Sequence, residues 1–210
     1  MKLTKLEILN FKGLKSFELN LNGDVVIRGG NATGKTTVFD SVCWLLFGKD
    51  SLDRADFEIK TLEAGEPIHK VNHEVTGTFT LDEGGTVELK RVYREKYSSP
   101  RGGEVTLTGH TTDYFVDGVP KKEKEYKEMV SSLVDESIFK LITNPLYFNE
   151  TYSWQNRRKL LLEMCGNISD EDVIASHDEL KALTDILSGH SVDDHRKVVA
   201  SKKAAINKEL

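Results

Sequence analysis

The sequence contains few of the features that mark a secreted, disulfide-stapled or membrane-spanning protein. Only two of its 210 residues are cysteine, and Cys43 and Cys165 both fall in apolar helical patterns. No apolar run approaches the ~20 residues that cross a bilayer. The N-terminus alternates polar and apolar residues and has no signal-peptide core. We therefore expect a cytoplasmic protein without a membrane partner, with both thiols reduced and in the core.

An excess of positive charge is also missing. The chain has 29 Lys and Arg against 34 Asp and Glu, a net charge of -5, so no global field attracts nucleic acid. The lysines of 121–127 alternate with glutamates, which is more typical of a solvated helix face than of a DNA-binding patch. The histidines are scattered without metal-ligand spacing. A DNA partner must therefore use a local patch or another part of the protein.

What the chain does have is enough apolar sequence for a core and a clear order of predicted elements. Residues 2–29 alternate like strands, and the run Val25–Ile27 predicts a strand buried on both faces. The spacing over 35–47 predicts a helix with one apolar stripe, closed by Gly48. Residues 71–119 predict an insert of three or four antiparallel strands. Helices follow, and the last predicted element is the start of a coiled coil at 191–210.

The most specific motif is GGNATGKTT, which spans Gly29–Thr37. Gly29, Gly34, Lys35 and Thr36 satisfy the phosphate-loop pattern G-x4-G-K-[ST]. A predicted buried strand precedes the motif and an amphipathic helix follows it, as a phosphate-binding loop requires. A glycine-rich turn with a solvated lysine is the alternative, and the agreement of strand, loop and helix speaks against it.

Each residue type in this motif has a physical reason to be there. The two glycines allow positive φ and let the backbone wrap a phosphate, with the loop amides forming an anion nest. The helix that begins near Lys35 adds partial positive charge at its N-terminus. Lys35 brings a full charge to the β- and γ-phosphates of a nucleotide. The Thr36 hydroxyl is placed to bind Mg²⁺, and Thr37 caps the helix or contacts the α-phosphate.

The segments LEILNFKGL and VVIRGGNATGKTTVFDSVCWLLFG resemble the start of SMC, RecF and SbcC-type ATPases, the ABC-type heads of DNA repair, recombination and chromosome organisation. Asn10-Phe11 after the first strand, Asn31 within the loop and the helix end FGK carry the resemblance. The stretch FKLITNPLYFNETYSWQNRRKLLLEMCG is similar to the junction before the coiled coil in this class.

The resemblance implies an α/β fold: a P-loop NTPase core of the ABC-head type with an antiparallel β subdomain, then helices leading into a coiled coil. Residues 1–190 would form the N-terminal lobe of the head, and 191–210 would begin the coiled coil. The turn after the first strand would approach adenine and ribose. The implied contacts to ATP and Mg²⁺ are Asn10, Phe11, Lys12, Gly29, Gly30, Asn31, Ala32, Thr33, Gly34, Lys35, Thr36 and Thr37.

Two positions depart from the family pattern. Ala32 stands where the family usually has glycine. Alanine costs little there if its φ is negative, so we expect nucleotide binding to be retained. The family's Q-loop glutamine, which helps to hold Mg²⁺ and the attacking water, should fall near the end of the β insert. The only glutamine is Gln155, inside a predicted helix. Asn149 lies nearer to the expected place as a shorter metal ligand, and an ordinary loop role for it stays open.

Two elements of a complete ABC site are missing. Leu133-Val134-Asp135-Glu136 resembles the acidic strand, but it continues a helical stripe and is interpreted as a helix end. Leu187-Ser188-Gly189-His190 resembles the signature loop and is interpreted as a turn between helices. In the family both elements lie beyond a long coiled coil, so we expect an N-terminal half that is inactive alone.

The implied partners are the C-terminal half of the same head, a second copy in an ATP-dependent homodimer, DNA through the complete protein, and a nuclease. Three other functions stay open: a non-catalytic nucleotide-gated clamp, a P-loop kinase and a GTPase. A GTPase is disfavoured because Asp82–Gly85, which resembles its Mg²⁺ element, falls in a predicted hairpin turn. No Asn-Lys-x-Asp guanine motif occurs in the sequence.

Overall fold

The computed structural model describes residues 1–21, 23–63, 65–99, 104–144, 146–166 and 169–209. The chain divides into two compact units, Met1–Pro145 and Leu146–Leu210. All strands among the described residues lie in the first unit, together with the phosphate-loop motif, whereas the second unit is helical.

Six strands of the first unit form one antiparallel sheet. β1 (Lys2–Phe11) pairs on one side with β2 (Leu14–Asn20) and on the other with β5 (His73–Thr80). A separate hairpin consists of β3 (Leu62–Glu63) and β4 (Glu66–Pro67). The large sheet continues through β6 (Thr86–Ser98), β7 (Thr106–Val116) and β8 (Val119–Lys121), giving the order β2-β1-β5-β6-β7-β8. The predicted β insert is therefore continuous with the N-terminal strands, because β5 pairs directly with β1.

The described helices are α1 (Lys35–Phe47), α2 (Glu123–Leu133) and α3 (Glu136–Thr143) in the first unit, and α4 (Trp154–Cys165), α5 (Asp170–Ser176), α6 (Ala182–Leu187) and α7 (Val192–Glu209) in the second. A π-helical turn, Tyr147–Thr151, precedes α4. A coiled coil starting in α7 stays a prediction. Within the described ranges, no helix combines the length and apolarity needed to cross a membrane.

The core lies between α1 and one face of the sheet. β5 alternates buried and partly buried residues, as its sequence pattern predicts, and sends His73, Val75, Gly77 and Phe79 inward. A Cβ at Gly77 would come within 2.7 Å of Leu45 Cδ2, so glycine at this position lets α1 pack closely on the sheet. α2 joins this core through Tyr126, whose hydroxyl donates to the Leu45 carbonyl at 2.9 Å.

Phe11 and Arg91 are two further parts of this core. Phe11 is fully buried, with its ring centroid 5.3 Å from that of Trp44 and 6.3 Å from that of Phe57. The buried Arg91 guanidinium lies 5.4 Å from the ring of Trp44, with the rings of Tyr114 and Tyr126 at 5.0 and 5.3 Å. Burial lowers the pKa of Arg91. These aromatic faces attract the cation in place of water.

The prediction of a buried strand at Asp24–Arg28 is wrong for this structure. Residues 23–30 form no strand, and Val26 is 72% exposed, with Val25 and Ile27 also exposed. A strand needs a hydrogen-bonded neighbour, because its backbone amides and carbonyls do not pair within the segment. Among the described strands, none pairs with this segment.

The two cysteines have different surroundings, so the expectation of two core thiols holds only for Cys43. Burial raises the pKa of Cys43 to about 12, and the charges of Asp40 and Asp50 add to the shift. Cys165 is exposed because α4 buries none of its side chains within the second unit. Both thiols are free.

The segments interpreted as a helix end, a hairpin turn and a turn between helices form those elements in the structure. α2 ends at Leu133, and Asp135 caps α3 by accepting the Ile138 N–H at 2.9 Å. The turn from β5 to β6 closes with a bond from the Leu81 N–H to the Gly85 carbonyl. Ser188 ends α6 in a left-handed conformation, so the segment resembling a signature loop is a turn before α7.

Candidate functional site: the phosphate-binding loop

The phosphate-loop motif runs directly into the N-terminus of α1. The helix begins at Lys35, as predicted, and its N-cap is Gly34 with φ 91°, without a side-chain cap and without an acidic residue in the first turn. The Thr37 side chain therefore does not cap the helix. The first amides of a helix lack intrahelical partners and carry about half a positive charge between them. This end of α1 is thus available to an anion.

The Lys35 ammonium is folded over the loop that precedes it. Its Nζ donates to the Gly29 carbonyl at 2.8 Å and also to the Gly30 carbonyl. The Thr33 hydroxyl donates to the same Gly30 carbonyl at 2.9 Å. A phosphate oxygen competes well for this lysine, because bonds between two charged groups are about twice as strong as neutral ones.

Both motif glycines are needed for close packing. A Cβ at Gly29 would come within 2.6 Å of Thr33 Oγ1. A Cβ at Gly34 would meet Leu14 Cδ2 at 3.0 Å, and its positive φ disfavours other residues as well. Leu14, which sequence reasoning did not single out, thus forms part of the wall around the loop.

The loop lines one side of a cleft of about 440 Å³ formed by residues 12–14 and 31–37. Its volume lies in the range of about 300–1,000 Å³ that is usual for ligand sites. Thr36 and Lys35 line this cleft together with Lys12. Two cations and a free helix N-terminus therefore converge on one concave surface.

The opposite wall is the turn between β1 and β2, and the backbone is unusual both in this turn and at the end of β1. Asn10, Lys12 and Gly13 all have positive φ, at 52°, 47° and 100°. The Lys12 N–H donates to the Ile59 carbonyl at 2.9 Å, and the Asn10 carbonyl accepts from His73 Nδ1. Backbone strain of this kind persists where surrounding bonds hold it, often at functional sites.

Three residues at the end of β1 and in this turn were expected at the nucleotide, and Phe11 is placed elsewhere. Its side chain is completely buried against Trp44, so it is a core residue and does not line the cleft. Asn10 donates from Nδ2 to the Asn72 carbonyl at 3.0 Å. Lys12 is the member of the three that lines the cleft with the phosphate loop.

A family model described as an AAA domain matches residues 5–209 of the chain. The chain belongs to this AAA domain family. The match covers both units, and the resemblance to SMC, RecF and SbcC-type heads is confirmed with it.

Two relatives and one solved structure are similar to this AAA domain. The DNA replication and repair protein RecF of Clostridioides difficile (strain 630) is 26% identical over 165 residues, covering 75% of this chain and 44% of RecF. Endonuclease GajA of Bacillus cereus (strain VD045) is 25% identical over 206 residues, 88% of this chain and 33% of GajA. The chain therefore spans less than half the length of either relative.

The solved structure is an Smc head domain with a coiled coil and joint from Pyrococcus yayanosii. It superimposes with a TM-score of 0.55 and 23% sequence identity, over 99% of this chain and 40% of that one. This similarity confirms the predicted fold class, an α/β ABC-type head core with an antiparallel sheet.

A negative φ, the condition under which alanine costs little at position 32, is not met, since the φ of Ala32 is 60° in this AAA domain. The loop must reverse before α1, and glycine is the residue that takes a left-handed conformation without steric cost. Alanine pays roughly 1–2 kcal/mol there, because its Cβ crowds the following carbonyl.

We expect Ala32→Gly to stabilise the protein by about 0.5–1 kcal/mol, since relief of strain outweighs the added entropy of the unfolded chain. The matched control is Ala55→Gly, because Ala55 is not among the positive-φ residues. That control should lose stability by about 0.4–1 kcal/mol. Urea unfolding of the three proteins measures both effects, and equal losses from the two substitutions would contradict the strained backbone.

Asn149, the candidate Mg²⁺ ligand, lies in the π-helical turn of the second unit. Its carbonyl accepts from Arg157 Nη1 at 2.7 Å. Gln155 lies in α4, as predicted. A metal-binding role for Asn149 stays a prediction. Among the described residues, no group of three or more His, Cys, Asp or Glu side chains could hold a metal by itself.

A buried carboxylate that sequence reasoning missed supports the strained turn. Glu95 of β6 is 1% exposed and accepts from Lys60 Nζ at 2.6 Å, the Lys70 N–H at 2.9 Å and the Tyr97 hydroxyl, with His69 Nδ1 at 2.7 Å. Lys60 forms a β-bridge with Phe11, next to the turn. Burial alone would raise the pKa of Glu95, but these donors hold it well below its ordinary value of 4.5.

Because the folded-state pKa of Glu95 is depressed, its stabilising effect is present above pH 4.5 and is lost as the pH falls further. We expect Glu95→Gln to lower the free energy of unfolding clearly at pH 7. The difference in free energy of unfolding between the variant and the wild type should become smaller below pH 4.5. Denaturant titrations at pH 7 and below pH 4.5 measure this difference. If it stays constant between the two conditions, the charge of Glu95 contributes nothing to stability.

Proposed function

We propose that this chain is the ATP-binding N-terminal lobe of an SMC/RecF/SbcC-type ATPase head. The observation that carries the proposal is the cleft in which Lys35, Lys12 and the uncapped N-terminus of α1 meet. The amides of residues 30–37 and the Lys35 ammonium would hold the phosphates. Asn10 and Lys12 would contact the nucleoside side of ATP.

Mg²⁺ fits the oxygen chemistry of this cleft, because Thr36 is exposed there and hydroxyl and phosphate oxygens are suitable ligands for this hard cation. The bound ion would neutralise charge on the β- and γ-phosphates. Thr36 would hold it through its side-chain hydroxyl. Lys35 would orient the γ-phosphate and stabilise the charge that develops on it.

Hydrolysis is proposed to require the C-terminal half of the head. Among the described residues, the two acidic or signature-like segments are a helix cap and a turn between helices. The exposed, unpaired run Val25–Ile27 leads into the phosphate loop and has the composition of a buried strand. A strand from the proposed C-terminal half would pair with this run and complete the site.

The biological setting is proposed from the relatives. One is named a DNA replication and repair protein and the other an endonuclease. We propose that the complete protein acts on DNA in repair, recombination or replication, forms an ATP-dependent homodimer, and works with a nuclease in the cytoplasm.

A phosphate-release assay tests the catalytic part of this proposal. The chain alone should show almost no turnover, because catalysis of phosphoryl transfer depends on charged and polar groups positioned all around the γ-phosphate. Adding the C-terminal half should restore Mg²⁺-dependent turnover that Lys35→Ala abolishes. The low end of kcat for working enzymes is about 1 s⁻¹. Such turnover by the chain alone would contradict the need for a second half. Binding without turnover in the completed head would favour a nucleotide-gated clamp.

Thr36→Val should remove most of the Mg²⁺ dependence of ATP binding. Valine keeps the shape of the side chain and removes the hydroxyl oxygen that would bind the metal. ATP titrations with and without Mg²⁺ measure the effect, and Thr37→Val provides a matched control in the same turn of α1. An unchanged Mg²⁺ dependence in Thr36→Val would assign the metal to another group.

A further inference from the structure

Asp40 of α1 is a buried carboxylate that joins three segments of the first unit. Its side chain is 5% exposed. Oδ2 accepts from Lys12 Nζ at 2.6 Å, and Oδ1 accepts from the Ser51 N–H at 2.9 Å. The same carboxylate therefore contacts the turn after β1 and the segment that follows α1.

Lys12 is confined on a second side by an aromatic ring. Its Nζ lies 5.0 Å from the ring centroid of Phe57, and its side chain is 21% exposed. An ammonium has three N–H donors. One serves Asp40 and the cation also faces the ring, which leaves donor capacity for an oxygen in the cleft that Lys12 lines.

The helix that carries Asp40 is the one that begins at the phosphate loop. Asp40 lies five positions after Lys35, in the second turn of α1. The ion pair thus connects the helix presenting Lys35 to the opposite wall of the cleft. Losing Lys12 would leave the buried charge of Asp40 uncompensated, so this ion pair holds the two side chains together strongly.

We propose that Asp40 is a positioning residue that fixes the Lys12 ammonium at the wall of the nucleotide cleft and thereby sets the affinity for ATP. The inference rests on the proposed nucleotide site. Asp40 does not contact the nucleotide itself and acts through Lys12. Without the charge of Asp40, the flexible Lys12 side chain turns away from the cleft into solvent. The nucleotide then loses one preorganised cation.

A double-mutant cycle with ATP titrations tests this coupling. Asp40→Asn keeps an oxygen for the Ser51 N–H and removes the charge that holds Lys12. We expect Lys12→Met to weaken ATP binding about tenfold and Asp40→Asn about fivefold, in line with coupling energies of close charge pairs. In the Lys12→Met background, Asp40→Asn should change the affinity by less than about twofold.

Asp50 provides the matched control for loss of a buried carboxylate. It is buried, accepts from the Leu52 and Arg54 N–H groups at 3.0 and 2.9 Å, and does not line the cleft. Asp50→Asn should lower stability without changing ATP affinity. If Asp40→Asn does not fold, Asp40→Glu replaces it, because the longer side chain keeps the charge but displaces Lys12.

The outcomes separate this inference from the proposed function. If the wild type does not bind ATP, or Lys35→Ala binds equally well, the nucleotide site itself is wrong. Suppose instead that the wild type binds ATP and Lys35→Ala binds it more weakly. If Asp40→Asn then lowers ATP affinity equally in the wild-type and Lys12→Met backgrounds, Asp40 has only a structural role. Unchanged affinity in the Asp40 variant also overturns the inference.

Discussion

Lys35→Ala should weaken ATP binding more than about tenfold, or ~1.4 kcal/mol, while leaving the fold intact. The substitution removes the ammonium that lies over the loop and bonds to the Gly29 and Gly30 carbonyls. These bonds lie at the surface of the cleft, so their loss should cost little stability. The charge aimed at the phosphates is lost entirely.

Calorimetric titration of ATP into both proteins measures this effect. Lys15→Ala is the matched control, because Lys15 is exposed and pairs with Glu63 on the surface of the same unit. That control should bind ATP like the wild type, since such surface pairs contribute ~0–1 kcal/mol to stability. Equal affinity of the Lys35 variant and the wild type would remove the basis for the phosphate-loop assignment.

Phe11→Ala should lower the free energy of unfolding by about 3–5 kcal/mol, the usual cost of deleting a buried aromatic ring. Phe11 is fully buried and packs on Trp44 and Phe57, so its loss leaves a cavity between β1, α1 and the segment after α1. Because this cavity lies next to Lys12, ATP affinity should fall as well.

Urea denaturation monitored by tryptophan fluorescence checks this prediction. Leu52→Ala is the control in the same unit, since Leu52 is 64% exposed and its truncation should change stability by less than about 0.5 kcal/mol. A Phe11 variant as stable as that control would contradict the burial of the ring.

The parts of the fold that were predictable from sequence are those set by local patterns. The range of α1 follows from its apolar spacing and its closing glycine. The turn Asp82–Gly85 follows from the alternating strands on either side. The phosphate loop was found for the same reason, because all its residues are contiguous.

What could not be predicted depends on contacts between distant parts of the chain. The run Val25–Ile27 is apolar enough to predict burial, but burial also needs a neighbouring strand. Phe11 was assigned to the nucleotide because sequence does not show that Trp44 and Phe57 enclose it.

Asp40, Lys60 and Glu95, which support the site, were missed for a related reason. Lys12 and Asp40 are 28 positions apart, and Lys60 and Glu95 are 35 apart, so no local motif connects them. A charged residue in an otherwise apolar stretch of predicted helix, as at Asp40, is the one signal that sequence offered. For the left-handed φ of Ala32, the signal was the glycine that the family usually has at this position of the loop.

Hydrogen exchange with and without ATP and Mg²⁺ tests the central claim most directly, because it locates the nucleotide on the chain. Amides of residues 30–37 should exchange more slowly when ATP is present, and the turn at 10–14 should be protected with them. The strands β6 and β7 should be unaffected, and Lys35→Ala should remove the protection. Absence of protection at 30–37 under saturating ATP, or protection confined to another part of the chain, would contradict the account.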